Sequence, residues 1–285
     1  MPARIMSAAE AAGRLVPPGG VVGVGGMHLT AAPMALVREL ARARVPVGRL
    51  VTSPSASLQA DLLIASGLVS QIVSPYVGFE HLGLAPAFRR EVEAGRLAVL
   101  EVDEGSLTHA LYAGAGGIPF VPCPPGIDLT DIPGVNPELF AEVTDPFTGE
   151  RRWAVRAIRP DVVLLACREA AADGTVWFGR FPFTDRLLAL AARTLVVQVE
   201  RMVPAGSLAG RAAGETLPGF LVDAIVVAPG GCHPTASPGE YDRDEAALGA
   251  YLEAARNPEA LASYLAGLAA PAAAAAAEAV AGGSP

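Results

Sequence analysis

The chain has 285 residues, 52% of them apolar and 18% charged, which supplies material for a large core and excludes a disordered polymer. The net charge is −8 and every cationic residue except the histidines is Arg, with no concentrated basic stripe to neutralise a phosphate backbone, so nucleic acid is not an expected partner. Cys123, Cys167 and Cys232 are odd in number, widely spaced and without a CxxC pair, a usage that fits a reducing cytoplasm better than a disulfide framework.

The first residues lack an apolar core behind basic residues, and no apolar stretch reaches the roughly 18 residues that span a bilayer, so neither export nor a membrane is expected. Short β-rich runs then recur between Gly and Pro: Val21 to Val24, Leu50 to Thr52, Gln71 to Ser74, Ala98 to Val102, Asp161 to Ala166, Thr194 to Glu200 and Ala224 to Ala228. Several are continuously apolar, as strands buried on both faces of a parallel sheet are. Helix-length stretches separate them, such as Ala31 to Arg44, where Thr30 is placed to cap the first turn and Pro33 sits near the start. The alternation predicts an α/β fold of three layers, an open, mostly parallel sheet with helices on both faces, in a single domain over 1–285. The Gly- and Pro-crowded stretch 114–150 breaks the rhythm and reads as an ordered loop excursion over one end of the sheet. Asp173-Gly174 reads as a turn into a short strand over 175–178, an antiparallel addition. From Ala269 the tail reads as an Ala-rich helix.

Three places carry candidate chemistry. Val22-Gly23-Val24-Gly25-Gly26-Met27-His28 joins a strand to a helix, and its glycines allow close backbone approach while the helix N-terminus offers N–H groups to an anion. It is no dinucleotide fingerprint, because His28 stands where the third glycine belongs; a tight structural turn and a ligand-facing loop both remain open. Glu101, Asp103 and Glu104 end the strand Ala98 to Val102 and precede a helix: the helix dipole accounts for Asp103 and Glu104 without catalysis, whereas the position at a strand's carboxyl end suits acid–base work. Cys232 beside His233 is better read as a buried structural thiol, since neighbouring side chains in an extended segment face opposite ways. His28, His81, His109 and His233 show no metal-ligand spacing, so no metal site is expected, and the GxSxG order of a serine hydrolase is missing.

In order and spacing, several segments resemble the α (A-type) subunit of family I CoA-transferases, the group of the glutaconate and 3-oxoacid enzymes. They are Gly23-Val24-Gly25-Gly26 with 32–40, Glu101 to Ser106, 113–122 containing Gly116-Gly117, 146–150, 159–162 and 222–234. The resemblance implies a partner in the form of a homologous β subunit, an active site at their junction, and a coenzyme A thioester as substrate with no further cofactor. It implies covalent catalysis by a β-subunit Glu, and the Ser-Glu-Asn-Gly-like segment that bears this Glu is missing here. It marks Gly25, Gly26, Met27, His28, Gly116 and Gly117 as substrate-binding positions. The chain also resembles the α subunit of a related CoA-thioester hydrolase that opens a steroid ring. That likeness centres on Asp103-Glu104-Gly105 and implies Glu104 as an acid–base residue. A non-catalytic scaffold or ligand-binding subunit is the remaining alternative, since fold does not fix function.

Overall fold

The structure, a computed structural model, describes residues 3–268; the Ala-rich helix expected from Ala269 lies outside the described residues. The first part of the chain contributes β1 (Arg4–Ile5), α1 (Ala8–Leu15), β2 (Gly20–Val24), α2 (Met34–Ala43), β3 (Val47–Thr52), β4 (Ser55–Ala56), α3 (Leu58–Ala65), β5 (Val69–Val73), β6 (Tyr76–Val77), α4 (Pro86–Glu93), β7 (Ala98–Leu100) and α5 (Glu104–Ala115). Next come β8 (Phe120–Pro122), α6 (Ile132–Val135), β9 (Phe140–Thr144) and β10 (Arg151–Arg156). The remainder is β11 (Val162–Ala171), β12 (Val176–Trp177), α7 (Asp185–Ala191), β13 (Thr194–Val203), β14 (Thr216–Leu217), β15 (Ala224–Val227), α8 (Glu245–Arg256) and α9 (Pro258–Leu268).

The main sheet runs in the order β1-β15-β13-β11-β2-β3-β5-β7, with every pairing on this path parallel. Its central strands bury both faces, which is why they read as continuous apolar runs. Val22, Leu50, Ile72, Leu164 and Val196 join one core with residues of α1 to α4 and α8. Their neighbours Val51, Val73, Val163, Leu165 and Val197 join a second core with α5 and α7. Three layers follow directly from this alternation.

From β2 the chain steps outward through β3 and β5 to β7 on α2, α3 and α4, whereas from β11 it steps the opposite way to β13 on α7, which lies on the other face. The adjacent strands β2 and β11 therefore mark the topological switch point, where a crevice opens outside the carboxyl ends of the strands.

Three readings of the sequence change. Thr30 does not cap α2: the helix starts at Met34 after Pro33, without a side-chain cap, because Ala31 takes a left-handed φ of 52° and Thr30 pairs with Met27 in a tight turn. The 114–150 stretch is not loop alone. Its strands β8 and β9 flank β10 in a three-stranded antiparallel sheet. Finally, β11 and β13 extend beyond the expected ends and pair as far as Ala171 with Val203, since Glu169 and Arg201, polar residues that hide the strand pattern, form an ion pair across the ladder. The antiparallel addition after Asp173-Gly174 is present as β12 against β11.

Candidate functional site

The loop that leaves β2 is held at the switch point by its own backbone. Gly25 and Gly26 are buried, and a Cβ on Gly26, whose φ is 88°, would lie 2.7 Å from the backbone of Ala32. All four N–H groups from Gly25 to His28 are used internally: Gly25 donates to the Leu164 carbonyl (3.0 Å), Gly26 to Asp185 (3.1 Å), Met27 to Thr30 (3.0 Å) and His28 to Ser55 (2.7 Å). The first turn of α2 is equally occupied, with Ala35 N–H on the Gly231 carbonyl and Leu36 N–H on Gln198. The expected anion cradle is thus filled by protein. What the loop offers to the crevice is shape, together with the half-exposed Met27 and His28 side chains.

Asp185, the first residue of α7, fixes this shape. It is 1% exposed and takes the Gly26 N–H, the Ser53 hydroxyl (2.7 Å) and the Arg180 guanidinium, whose side chain is itself 7% exposed. A carboxylate so buried needs such partners, because an unpaired charge there carries a large desolvation penalty. It joins the ends of β2 and β3 to α7 across the switch point.

Left-handed backbone gathers around the same rim. Among the described residues five non-glycine residues have positive φ, and four of them, His28, Ala31, Glu80 and Phe183, lie in loops at the carboxyl edge of the sheet. Strain of this kind persists where surrounding contacts over-determine it, and it concentrates at functional sites. His28 Nδ1 lies 3.1 Å from a Glu80 oxygen without a hydrogen bond between them, and Glu80 in turn meets Arg243 at 3.3 Å, so the loop after β2 lies against the loop after β6, which is tied to the start of α8.

Glu104 stands at the opposite end of this edge. It opens α5, is exposed, and its carboxylate has no partner among the described residues. Asp103 caps the helix by accepting the Ser106 N–H at 2.9 Å and Glu104 lies in its first turn, so the dipole reading accounts for the placement of both. Three strand spacings separate β7 from β2, roughly 14 Å. Cys123 packs beside Asp103, and its thiol is pushed up to about 11, by burial first and by the Asp103 charge second.

Gly116 and Gly117 are not brought to either place. They end α5 at its C-terminus, about 18 Å of helix from Glu104, and are exposed. Cys232 and His233 also part company: Cys232 is buried with its thiol pushed up to about 12, by burial first, while His233 pairs with Asp244 at 3.0 Å. Two surface cavities, of about 550 and about 400 Å³, lie between α4 and α8 and near Arg186 and Arg211, away from all these residues. Among the described residues no cluster of three or more His, Cys, Asp and Glu is gathered to hold a metal, and no helix is long and apolar enough to cross a membrane. Sequence reasoning misses Asp185, Arg180 and Ser53. Asp185 reads locally as an ordinary acidic residue at a helix start, and its partner Gly26 is 159 positions away.

The family model described as Coenzyme A transferase matches residues 5–228. The A-type subunit of the 3-oxoadipate CoA-transferase of Pseudomonas knackmussii is 32% identical, with 92% of this chain and 92% of that protein covered. The cholesterol ring-cleaving hydrolase IpdA subunit of Rhodococcus jostii is also 32% identical, over 87% of this chain and 88% of that one. A crystal structure of a decarboxylase AibA/AibB variant superposes with a TM-score of 0.82 at 35% identity, covering 93% of this chain and 100% of that chain. A longer uncharacterised relative from Archaeoglobus fulgidus is 30% identical, and the chain spans 58% of its length. A parallel α/β sheet with this switch point, matched by the family model over most of its strands, leaves one assignment: the chain belongs to the Coenzyme A transferase family.

Proposed function

We propose that this chain is the A-type half of a two-subunit cytoplasmic enzyme that moves coenzyme A between an acyl-CoA and a carboxylic acid, with the attacking Glu on a homologous B-type partner. One observation carries the reading: the buried carboxylate and the two buried thiols beside the switch-point crevice are not available to attack a thioester. Asp185 is saturated by three donors, and burial raises the thiols of Cys167 and Cys232, so neither supplies a thiolate near neutral pH. On this reading the attacking carboxylate comes from a second chain. In that scheme the partner Glu adds to the thioester carbonyl and expels CoA thiolate, giving a mixed anhydride. The thiolate attacks the glutamyl carbonyl and releases the first acid, leaving a glutamyl-CoA thioester. The second acid reverses both steps and departs as the new acyl-CoA. Coenzyme A enters only as substrate in this reading. The A-type role of the 3-oxoadipate relative supports the pairing, and the three free cysteines support a reducing compartment.

The likeness to a ring-cleaving hydrolase subunit favours a second reading, in which the free Glu104 carboxylate acts as acid and base. An assay of the co-expressed complex separates the two. Under the transfer reading CoA moves only when free acid is present, and Glu104→Gln changes KM while kcat stays within about tenfold. CoA released without any acid, with kcat of Glu104→Gln down by about 10² to 10⁴, would establish the hydrolytic reading instead.

A further inference from the structure

We infer that the aromatic pair Phe181 and Phe183 is the ridge on which the homologous second subunit docks, an inference that rests on the two-subunit reading above. The two rings meet edge to face at 5.3 Å and are 69% and 52% exposed. Their loop is braced from behind. Arg180 donates to the Phe181 carbonyl at 2.9 Å while paired with Asp185, and Asp185 holds the Gly26 N–H, so the ridge and the crevice wall share one buried anchor. Pro182 between the rings is buried, and Phe183 is held at a φ of 47°, a conformation that aromatic residues rarely adopt.

A strained, anchored segment that turns two rigid aromatic rings outward is what an interface anchor requires, because little ordering remains to be done on binding. Small ligands take concave sites, whereas these two rings stand out into solvent. A protein face is the occupant that suits them. The A-type relatives supply its class, and the position supplies its consequence: a partner seated on this loop lies against the switch-point crevice, where the attacking carboxylate is missing.

The test uses this chain co-expressed with a B-type CoA-transferase subunit of the same genome, with complex mass read by light scattering and affinity by calorimetry. The expected result is a complex with the wild-type chain, affinity lowered at least about 30-fold by Phe181→Ser, and unchanged affinity for Phe147→Ser, a 94% exposed ring on the small sheet. Equal binding by Phe181→Ser and wild type would overturn the ridge and leave the two-subunit reading standing. Failure of the wild-type chain to bind would overturn both. Loss of self-association, or of acyl-CoA affinity alone, would assign the rings to a second copy or to substrate and also overturn the proposal. Hydrogen exchange on the unmutated complex checks the same point without a variant: residues 179–185 gain protection if the ridge is covered, and unchanged exchange there contradicts it.

Discussion

Asp185 and Arg180 show why a single buried side chain sets the geometry of this edge. With Asp185 1% exposed and Arg180 7%, each ion is tolerable only because the other is present. Asp185→Ala strands a buried guanidinium and leaves the Gly26 N–H and Ser53 hydroxyl without an acceptor, so we predict a loss of about 3 to 5 kcal/mol in urea unfolding. Asp185→Asn keeps an acceptor for Gly26 and should lose less than the alanine variant. Part of this site is legible in the sequence, because a glycine pair after an apolar run announces a tight strand-to-helix turn. The carboxylate that locks the turn is not, since nothing local distinguishes Asp185 from any acidic residue at a helix start. Gly116 and Gly117 lie at the far end of α5 from Glu104, because a segment that carries a family resemblance does not reveal which end of a helix it occupies.

At the scale of elements, two carboxylates hold helices in place. Asp61 on α3 is buried and accepts the Phe88 N–H (2.6 Å) at the start of α4 and the Tyr251 hydroxyl (2.7 Å) from α8. Asp61→Ala leaves these donors and the Ala87 N–H (3.4 Å) without their acceptor, and we predict a cost of about 3 kcal/mol by denaturant titration, with Asp61→Asn closer to wild type. Asp244 caps α8, and the Ala247 N–H followed by His233 holds its carboxyl below the usual carboxylate range. A folded-state pKa below the unfolded value means that the stabilisation is complete above the unfolded pKa, near 4, and is lost as pH falls through the folded one. The melting temperature of Asp244→Ala should therefore lie below wild type at pH 7 and approach it below about pH 4. Strands announced by apolar runs are legible, whereas the far halves of β11 and β13 are not. There the ladder is kept by residues such as Arg168, Glu169 and Arg201, whose charges are paired with one another and with Glu240.

For the whole molecule, strand order matters more than any one motif. A chain that leaves β2 on one face and β11 on the other opens a crevice at their carboxyl ends, and here its floor is fixed, its backbone donors are spent and the buried carboxylate beside it, Asp185, is saturated. Alternating strands and helices make the layers predictable. The switch point is not, because strand order depends on which strands pair across more than a hundred residues, as β2 and β11 do. The most direct test is the turnover of the purified chain alone beside that of its complex with a B-type subunit, with acyl-CoA and free acid supplied and CoA exchange followed by chromatography. Exchange by the complex with only background from the chain alone is the predicted result, and exchange by the chain alone at the rate of the complex would contradict it.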